Sequence, residues 1–310
     1  MVVQRYTADN KSKWDNFIDE SKNGTFMLKR DYIEYHSDRF IDFSLMIYYE
    51  DKLVSVFPAS VHGDCIISHG GLTYGGFITT KFMTVQCMLT LFQCVLAFFT
   101  QHNIKEIIYK RVPSIYHSFP SDEDLYALYR FNAVLCRRDI STSIYLPQKF
   151  DFSSRRKRNV KKAVNSKLSC RFSDDYQGYF RLLTDVLQKK YGVKPVHSAS
   201  EIEYLVSCFP DNIKLFASFD SETMLAGTIL FIDRGVVHTQ YIANSEIGRK
   251  CGALDAVFDE LINNIYSNMT YFDFGISTEN DGLYLNEGLV TQKQEFGGRG
   301  IIYDFYKIKI

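Results

Sequence analysis

The sequence has few of the residues that mark disordered, fibrous or disulfide-stapled proteins. It contains 6 prolines and a single tryptophan in 310 residues, and its 36 basic and 36 acidic side chains give a formal net charge of zero. A neutral chain has no global field that would draw it to nucleic acid or to an anionic membrane, so any such contact must be local. With 46% hydrophobic and 23% charged residues, the composition is that of a globular protein and excludes extended disorder.

The cysteines also lack a pattern. There are 7 of them, an odd number, and none forms a CxxC pair, so neither a disulfide framework nor a zinc ribbon is supported and no metal is expected. We interpret most of them as small buried side chains in a reducing compartment.

Long apolar runs are almost absent. The first residues, MVVQRYTADNKSKW, contain no apolar signal region. The one uncharged apolar stretch, residues 84–100, is at the short limit for a bilayer span and includes Gln86, Thr90 and Gln93. We interpret it as a buried helix, and we expect a cytoplasmic protein without a transmembrane segment.

The two halves of the chain repeat one order of elements. Each half has helices, a three-strand meander, a glycine-bearing loop, an apolar helix, a strand and a tail strand. In the first half the strands are predicted at 44–49, 52–59, 64–68, 106–110 and 138–145, and the apolar helix at 84–100. In the second half, helices are predicted at 179–190, at 253–266 and from Ala199 onwards, the last with Ser200 as its cap. Strands are predicted there at 214–219, 225–232, 236–242, 271–274 and 301–308.

Few residues are identical between the halves, so the duplication is one of architecture. We therefore predict a mixed α+β protein with two tandem domains, residues 1–150 and 151–310, each a mostly antiparallel splayed sheet flanked by helices. Residues 153–167, SSRRKRNVKKAVNSK, are polar, basic and helical in pattern, and we interpret them as the connection between the domains.

The order of meander, loop, helix and strand resembles the GNAT fold. In that fold the strand before the helix splays from the strand after it, and the loop presents N–H donors to an anionic phosphate at the helix N-terminus. In the second half, Arg249-x-x-Gly252 resembles part of the acetyltransferase pyrophosphate signature, although Leu254 stands where a small residue is usual. The resemblance implies an acyl-CoA donor held by Ser245, Arg249, Gly252 and Ala253. The glycine-rich segment 70–76 of the first half lacks this pattern, so the first domain is expected to have no donor site.

A second resemblance lies near the chain end. Lys293-x-x-Phe296-Gly297 follows a strand, a polar loop and a short helix. It is similar to an element of the Fem-type peptidyltransferases, the FemAB-like branch of the GNAT superfamily. In those enzymes an aromatic residue usually precedes the lysine, whereas this chain has Gln292. The resemblance implies an N-acyltransferase that moves an acyl group to an amine of a sugar or cell-envelope precursor. An aminoacyl-tRNA-dependent peptidyltransferase and a non-catalytic binding protein with the same fold stay open as alternatives.

Attack of an amine on an activated carbonyl needs a proton acceptor and a positive charge near the developing oxyanion. By the resemblance, Lys293 would stabilise the carbonyl oxygen or the leaving group; a solvated loop lysine is the alternative. His238 has a side chain suited to proton transfer near neutral pH, and Asp273, mid-strand between two phenylalanines, is a candidate base or amine anchor. Strand alternation predicts His238 and Gln240 on one face and Tyr241 on the other.

The remaining candidates concern the acceptor and tRNA. The expected substrate-binding residues are Gln240, Tyr241, Ser277, Asn280, Tyr284, Phe296 and Gly297, with Lys110 and Arg111 of the first half for an anionic part of the acceptor. The basic run Arg155, Arg156, Lys157 and Arg158 could contact tRNA phosphates, although a solvated interdomain helix has the same pattern. The long helical hairpin of some Fem enzymes has no counterpart here, which weakens a tRNA assignment.

Overall fold

The structure is a computed structural model that describes residues 1–310, except the side chain of Tyr191. The chain forms two compact units. The first comprises Met1–Ile140, Asn280–Leu283 and Ile302–Ile310, and the second comprises Ser141–Glu279 and Tyr284–Ile301. Each unit therefore includes residues from both halves of the sequence. A division at residue 150 stays a prediction, and the compact units differ from it by this exchange of chain segments.

The first unit contains two groups of strands packed with helices. Its helices are α1 (Lys11–Glu20), α2 (Arg30–Glu34), α3 (Val85–Gln101) and α4 (Glu123–Arg130), and its strands are β1 (Val2–Arg5), β2 (Ile41–Asp42), β3 (Leu45–Tyr49), β4 (Lys52–Phe57), β5 (Ser60–His62), β6 (Cys65–Ile67), β7 (Ile78–Thr79), β8 (Glu106–Lys110) and the start of β9 (Val134–Tyr145). The strand order is β1-β3-β4-β7 in one sheet and β8-β6-β5-β2 in the other. Glu50 and Asp51 turn β3 into β4 with φ of 48° and 61°, the pair of positive φ angles that a tight two-residue hairpin turn requires.

The apolar stretch at 84–100 is confirmed as a packed helix. α3 begins at a cap in which the Thr84 side chain accepts the Cys87 N–H, and it buries Leu91, Phe92 and Val95 in the core of the unit. Gln86 and Thr90 lie on its exposed side. Among the described residues, no helix combines the length and apolarity that a bilayer crossing requires.

The glycine-rich segment of the first unit folds back over its own sheet. β6 and β8 pair in parallel from Cys65 opposite Glu106 to Ile67 opposite Ile108. Beyond that point the Lys110 ammonium donates to the carbonyls of His69 and Leu72 at 2.9 and 2.7 Å, and Gly75 N–H donates to the Lys110 carbonyl. The loop therefore occupies the space that follows the parallel strand pair.

The second unit has a long antiparallel meander. Its helices are α5 (Ser154–Asn165), α6 (Tyr176–Tyr191), α7 (Ala199–Cys208), α8 (Glu246–Cys251), α9 (Ala253–Glu260) and α10 (Glu287–Gln294), and its strands are β10 (Ser169–Ser173), β11 (Ile213–Asp220), β12 (Thr223–Asp233), β13 (Val236–Asn244), β14 (Tyr271–Ile276), β15 (Thr278–Glu279), β16 (Tyr284–Leu285) and the start of β17 (Arg299–Lys309). The order is β10-β11-β12-β13-β14-β9. All neighbours are antiparallel except β13 and β14, and β9 joins through residues 141–145.

Local sequence explains the helix boundaries with two corrections. α7 is capped by Ser198 rather than Ser200, because a reciprocal capping box links Ser198 and Glu201. The predicted helix at 253–266 is α9 followed by a wider π-type turn over Leu261–Ile265. The α9 face buries Leu254, Val257 and Phe258 under the sheet, as its helical spacing predicts.

The strands of the second unit splay where the prediction placed the site. The parallel ladder between β13 and β14 begins at Val236 opposite Tyr271 and ends at His238 opposite Asp273. β13 continues past it to Asn244, and β14 turns with a left-handed residue at Gly275, φ 75°. Beyond His238 this edge of β13 is no longer paired with β14, which confirms the predicted splayed sheet.

Candidate active site

A histidine–carboxylate pair lies at the end of the parallel ladder. His238 Nδ1 is 2.7 Å from Asp273 Oδ2. Asp273 is fully buried, whereas the His238 side chain keeps 16% exposure. Two residues that the sequence singled out separately are therefore in direct contact, on the neighbouring strands that diverge immediately after them.

The second oxygen of the carboxylate also has a partner. Ser141 Oγ donates to Asp273 Oδ1 at 2.6 Å, a length typical of a hydroxyl bonded to an ionised carboxylate. The order of the contacts is serine, aspartate, histidine. Because the hydroxyl bonds the carboxylate and not the imidazole, Ser141 is not arranged as a nucleophile activated by histidine.

This contact fixes the imidazole tautomer. An ionised carboxylate only accepts hydrogen bonds, so Nδ1 must carry the proton that it shares with Asp273. In the neutral ring, Nε2 then presents a lone pair. A Cβ at Gly275 would lie 3.3 Å from His238 Cε1, so the absence of a side chain there leaves room beside the ring. The arrangement suits a general base.

Lys293 is buried next to this pair, and its burial lowers the pKa of the ammonium to about 8, with the Asp273 charge opposing the shift. The ammonium donates to the carbonyls of Gly275 and Ile276 at 2.8 and 2.7 Å and to Ser277 Oγ at 2.9 Å. These three acceptors use all the N–H bonds of the ammonium. Direct donation to a substrate oxygen, as expected from the sequence, would therefore require one of them to be given up.

The predicted faces of β13 need one correction. Leu230 of β12 pairs with Thr239 while its neighbour Ile229 pairs with Tyr241, so Gln240 is the extra residue of a β-bulge. A bulge resets the alternation of side chains, and His238 and Tyr241 consequently share a face. The bulge also leaves Gln240 without a partner on β12.

Tyr241 ties this face to the segment between α6 and α7. Its hydroxyl is 2.5 Å from His197 Nδ1 and accepts the His197 backbone N–H, and its ring packs edge-on against Phe180 of α6. Burial raises the pKa of the Tyr241 phenol to about 12. Sequence reasoning missed His197, which lies in the loop between α6 and α7 and belongs to no motif.

The loop after β13 forms one wall of a cavity of about 460 Å³, which is also lined by Lys189 and Lys190 of α6. Ser245 caps α8 by accepting the Gly248 N–H at 2.8 Å. Arg249 also lines this cavity and donates to the Asn244 carbonyl. Two of the predicted donor-binding residues are thus brought together with two lysines that belong to no sequence motif.

The other two predicted donor-binding residues, Gly252 and Ala253, are packed against protein. Gly252 has φ 80°, and a Cβ there would lie 2.2 Å from the Asn159 carbonyl oxygen of α5. Ala253 is fully buried. The missing side chain of Gly252 is explained by the close approach of α5, and the space beside it is filled by protein.

The other predicted substrate-binding residues are dispersed in the second unit. Ser277 accepts from Lys293, Tyr284 is 54% exposed, and Phe296 is buried in the core at 1%. Gly297 has φ 96°, and a Cβ there would lie 2.6 Å from the Phe150 carbonyl oxygen. Phe296 and Gly297 therefore have packing roles.

The predicted residues of the first unit are occupied by protein contacts. Lys110 holds the glycine-rich loop, and burial lowers the pKa of its ammonium to about 8. Arg111 pairs with Asp122 and Asp124. Asn280 has φ 50° and opens the turn that follows β15. Lys110 and Arg111, expected to meet an anionic acceptor, instead anchor loops.

The basic run in α5 is largely engaged in ion pairs. Arg156 is buried, with contacts of 3.0 Å to Asp255 and 2.9 Å to Glu295. Arg155 also meets Glu295 at 2.5 Å, and Lys157 meets Asp151 at 2.7 Å. Arg156 is therefore removed from any surface that could meet tRNA. Arg158, Lys161 and Lys162 are exposed on the same helix.

Solved structures resemble the chain over nearly its whole length. The crystal structure of FemX matches with a TM-score of 0.69 at 11% identity, over 98% of this chain and 97% of that chain. L-PGS from Bacillus licheniformis matches with 0.63 at 12% identity, over 96% and 91%. A tandem GNAT protein from the clavulanic acid biosynthesis pathway matches with 0.52 at 7% identity, over 99% and 98%.

Neither a protein-family model nor the sequence of a curated protein matches the chain. At identities this low the structural likeness establishes the fold, and it agrees with both resemblances that the sequence motifs carry. The chain has the fold of the Fem-like branch of the GNAT superfamily, in its tandem form.

Proposed function

We propose that this protein is an N-acyltransferase whose second unit carries the reaction. The observation that carries the proposal is the contact between His238 and buried Asp273 at 2.7 Å, placed where β13 and β14 separate. A base with an oriented lone pair beside an open strand edge is what amine acylation requires, because the attacking nitrogen must lose a proton.

In the proposed step the amine nitrogen bonds to the carbonyl carbon of a thioester. His238 Nε2 accepts the proton that the nitrogen loses, and the imidazolium that forms is stabilised by Asp273. The tetrahedral intermediate then breaks its carbon–sulfur bond, the thiolate leaves, and a proton returns to the sulfur. The unpaired edge of β13 after His238 offers backbone N–H groups to the oxyanion.

Lys293 takes a supporting role in this proposal. Its three hydrogen bonds hold residues 275–277, the segment in which β14 leaves the ladder. Its positive charge also interacts with the Asp273 carboxylate, which opposes the lowering of the Lys293 pKa by burial. We therefore assign Lys293 the positioning of the Asp273 strand rather than direct contact with the carbonyl oxygen.

Acyl-CoA is the proposed donor. β13 leads from His238 to Ser245, so a donor lying along the open strand edge would reach from the base to the cavity at α8. Three cationic side chains line that cavity beside two carboxylates: Arg249, Lys189 and Lys190, with Asp185 and Glu246. The cationic side chains suit phosphate groups. In the first unit the glycine-rich loop fills the corresponding space, which supports a single donor site.

The proposed acceptor is an amino group of a sugar or cell-envelope precursor. This assignment is supported by the sequence resemblance to Fem-type enzymes and by the structural likeness to FemX and L-PGS.

An aminoacyl-tRNA donor is the second candidate. The exposed side of α5 carries Arg158, Lys161 and Lys162, a local basic surface on a chain with zero net charge. Such a surface favours contact with phosphates. A non-catalytic binding protein with this fold is the third candidate, and it predicts donor binding without turnover.

The test combines a donor comparison with one variant. The whole protein is incubated with labelled acyl-CoA or labelled aminoacyl-tRNA and a panel of amines, and acyl transfer and thiol release are measured. Asp273→Asn should lower kcat/KM by about 10²- to 10⁴-fold, while the exposed control Asp220→Asn should keep wild-type activity. Donor affinity, measured by calorimetry, should be unchanged in both variants.

The outcomes separate the candidates. Turnover with acyl-CoA that survives Asp273→Asn refutes the proposed base. Transfer from aminoacyl-tRNA alone favours the second candidate, and binding of a donor without transfer to any amine favours the third.

A further inference from the structure

We infer that Ser141 is a positioning residue for the reaction, acting through Asp273 on His238. The inference rests on the proposed function, and the hydrogen-bond geometry of three side chains supports it. Ser141 is fully buried, donates to one oxygen of Asp273 at 2.6 Å, and leaves the other oxygen to His238 at 2.7 Å. The three side chains form one chain of hydrogen bonds that ends at the partly exposed imidazole.

The Ser141 hydroxyl stabilises and orients the Asp273 carboxylate. A buried carboxylate that loses one of its hydrogen-bond donors is destabilised, and the effect is larger when the carboxylate is charged. The torsion that rotates a carboxylate has broad, shallow preferences, so its hydrogen-bond partners set the plane of the Asp273 carboxylate. With Ser141 on the opposite oxygen, both ends of the carboxylate are held and Oδ2 stays directed at Nδ1.

The backbone explains why Ser141 and not its neighbour reaches the carboxylate. Ser143 is the residue directly opposite Asp273 in the β9–β14 ladder, but a register shift follows and places Ser141 opposite Ile276. Gly275, with φ 75°, lies inside that irregularity. Ser143 Oγ instead donates to the Phe272 carbonyl at 3.3 Å. Two buried serines on one face of β9 thus differ in their contact with Asp273.

The charged groups that face the carboxylate are His238 from β13 and Lys293 from α10. Both remain when Ser141 is changed. Removing a hydrogen bond that favours the charged carboxylate makes the histidine–aspartate pair easier to protonate. The acid limb of the rate profile should therefore move to higher pH in Ser141→Ala.

The experiment uses Ser141→Ala, with Ser141→Thr as the variant that restores a hydroxyl and Ser143→Ala as the matched control on the same strand. Ser141→Ala should lower kcat about tenfold with little change in KM, and its acid limb in kcat/KM against pH should shift upward. Ser141→Thr should recover most of the rate, and Ser143→Ala should keep the wild-type profile.

A second readout does not need turnover. The His238 ring signals of labelled protein, assigned by their loss in His238→Gln, are titrated by NMR, and their midpoint should rise in Ser141→Ala only. Equal behaviour of Ser141→Ala and Ser143→Ala in both readouts overturns the inference. If the His238 titration shifts in Ser141→Ala but the wild-type protein acylates no amine, the role of Ser141 stands and the proposed function is wrong. If the wild-type protein acylates an amine but the titration does not shift, the role of Ser141 alone is wrong.

Discussion

Gly252 marks the elbow between α8 and α9, and replacing it with alanine tests whether its missing side chain serves packing. The added Cβ would lie 2.2 Å from the Asn159 carbonyl oxygen, 2.9 Å from its carbonyl carbon and 3.3 Å from its Cα. All three atoms belong to the backbone of α5, so no side-chain rotation relieves the clash. Either α5 or the elbow must move, and the move disturbs the buried pair between Arg156 and Asp255.

The magnitude follows from a matched pair of glycines. Gly192 ends α6 with φ 68° and has no atom within 4 Å of its Cβ position, so Gly192→Ala carries only the cost of a left-handed alanine, about 1 kcal/mol. Gly252→Ala has the same backbone cost at φ 80° and adds overpacking of about 1–3 kcal/mol. We expect Gly252→Ala to destabilise the second unit by about 3 kcal/mol in total.

The assay must report on the second unit, and the lone tryptophan, Trp14, lies in the first. Hydrogen–deuterium exchange of peptides from α5 and α9 therefore replaces tryptophan fluorescence. Exchange in both helices should accelerate more in Gly252→Ala than in Gly192→Ala. Equal acceleration would refute the packing argument. Normal exchange with weakened acyl-CoA binding would return Gly252 to the donor site that the sequence motif suggests.

Two further predictions concern buried charges. Arg156→Met should cost about 3–5 kcal/mol because it removes the ion-pair partner of buried Asp255, while Glu295 keeps Arg155. Arg158→Met on the exposed side should stay within about 0.5 kcal/mol. Equal denaturant midpoints for the two variants would contradict the assigned pairs. Burial lowers the pKa of Lys293 from 10.5 to about 8, so between those values the unfolded chain binds the extra proton and stability should rise with pH. Denaturation of wild type and Lys293→Met at pH 7.5, 8.5 and 9.5 checks this, and parallel pH dependence in the two proteins would disprove it.

Residue types alone predict part of the candidate site. A carboxylate between two phenylalanines in a strand is costly unless it has partners, and this property alone selects Asp273 as a candidate site residue. The motif near the chain end selects Lys293, which the structure buries beside Asp273. Its hydrogen bonds to the Gly275 and Ile276 carbonyls were not accessible, because no local pattern records which loop a lysine will hold.

The residues that sequence reasoning missed depend on long-range geometry. Ser141 and Asp273 are 132 positions apart, and only the register shift in the β9–β14 ladder selects Ser141 over Ser143. The bulge at Gln240 is similar: strict alternation separated His238 from Tyr241, and one unpaired residue brought them to the same face.

The sequence by itself determined the elements and their order, because hydrophobic periodicity, turn residues and helix caps act over a few neighbouring positions. The meander of β11, β12 and β13, the buried face of α9 and the hairpin at Glu50 and Asp51 follow from such local signals. The tertiary structure decided which strands complete each unit: residues 305–309 of β17 pair with β8, and residues 141–145 of β9 pair with β14. Strand pairing is set by the fit of distant surfaces and backbone edges, which a linear pattern does not encode.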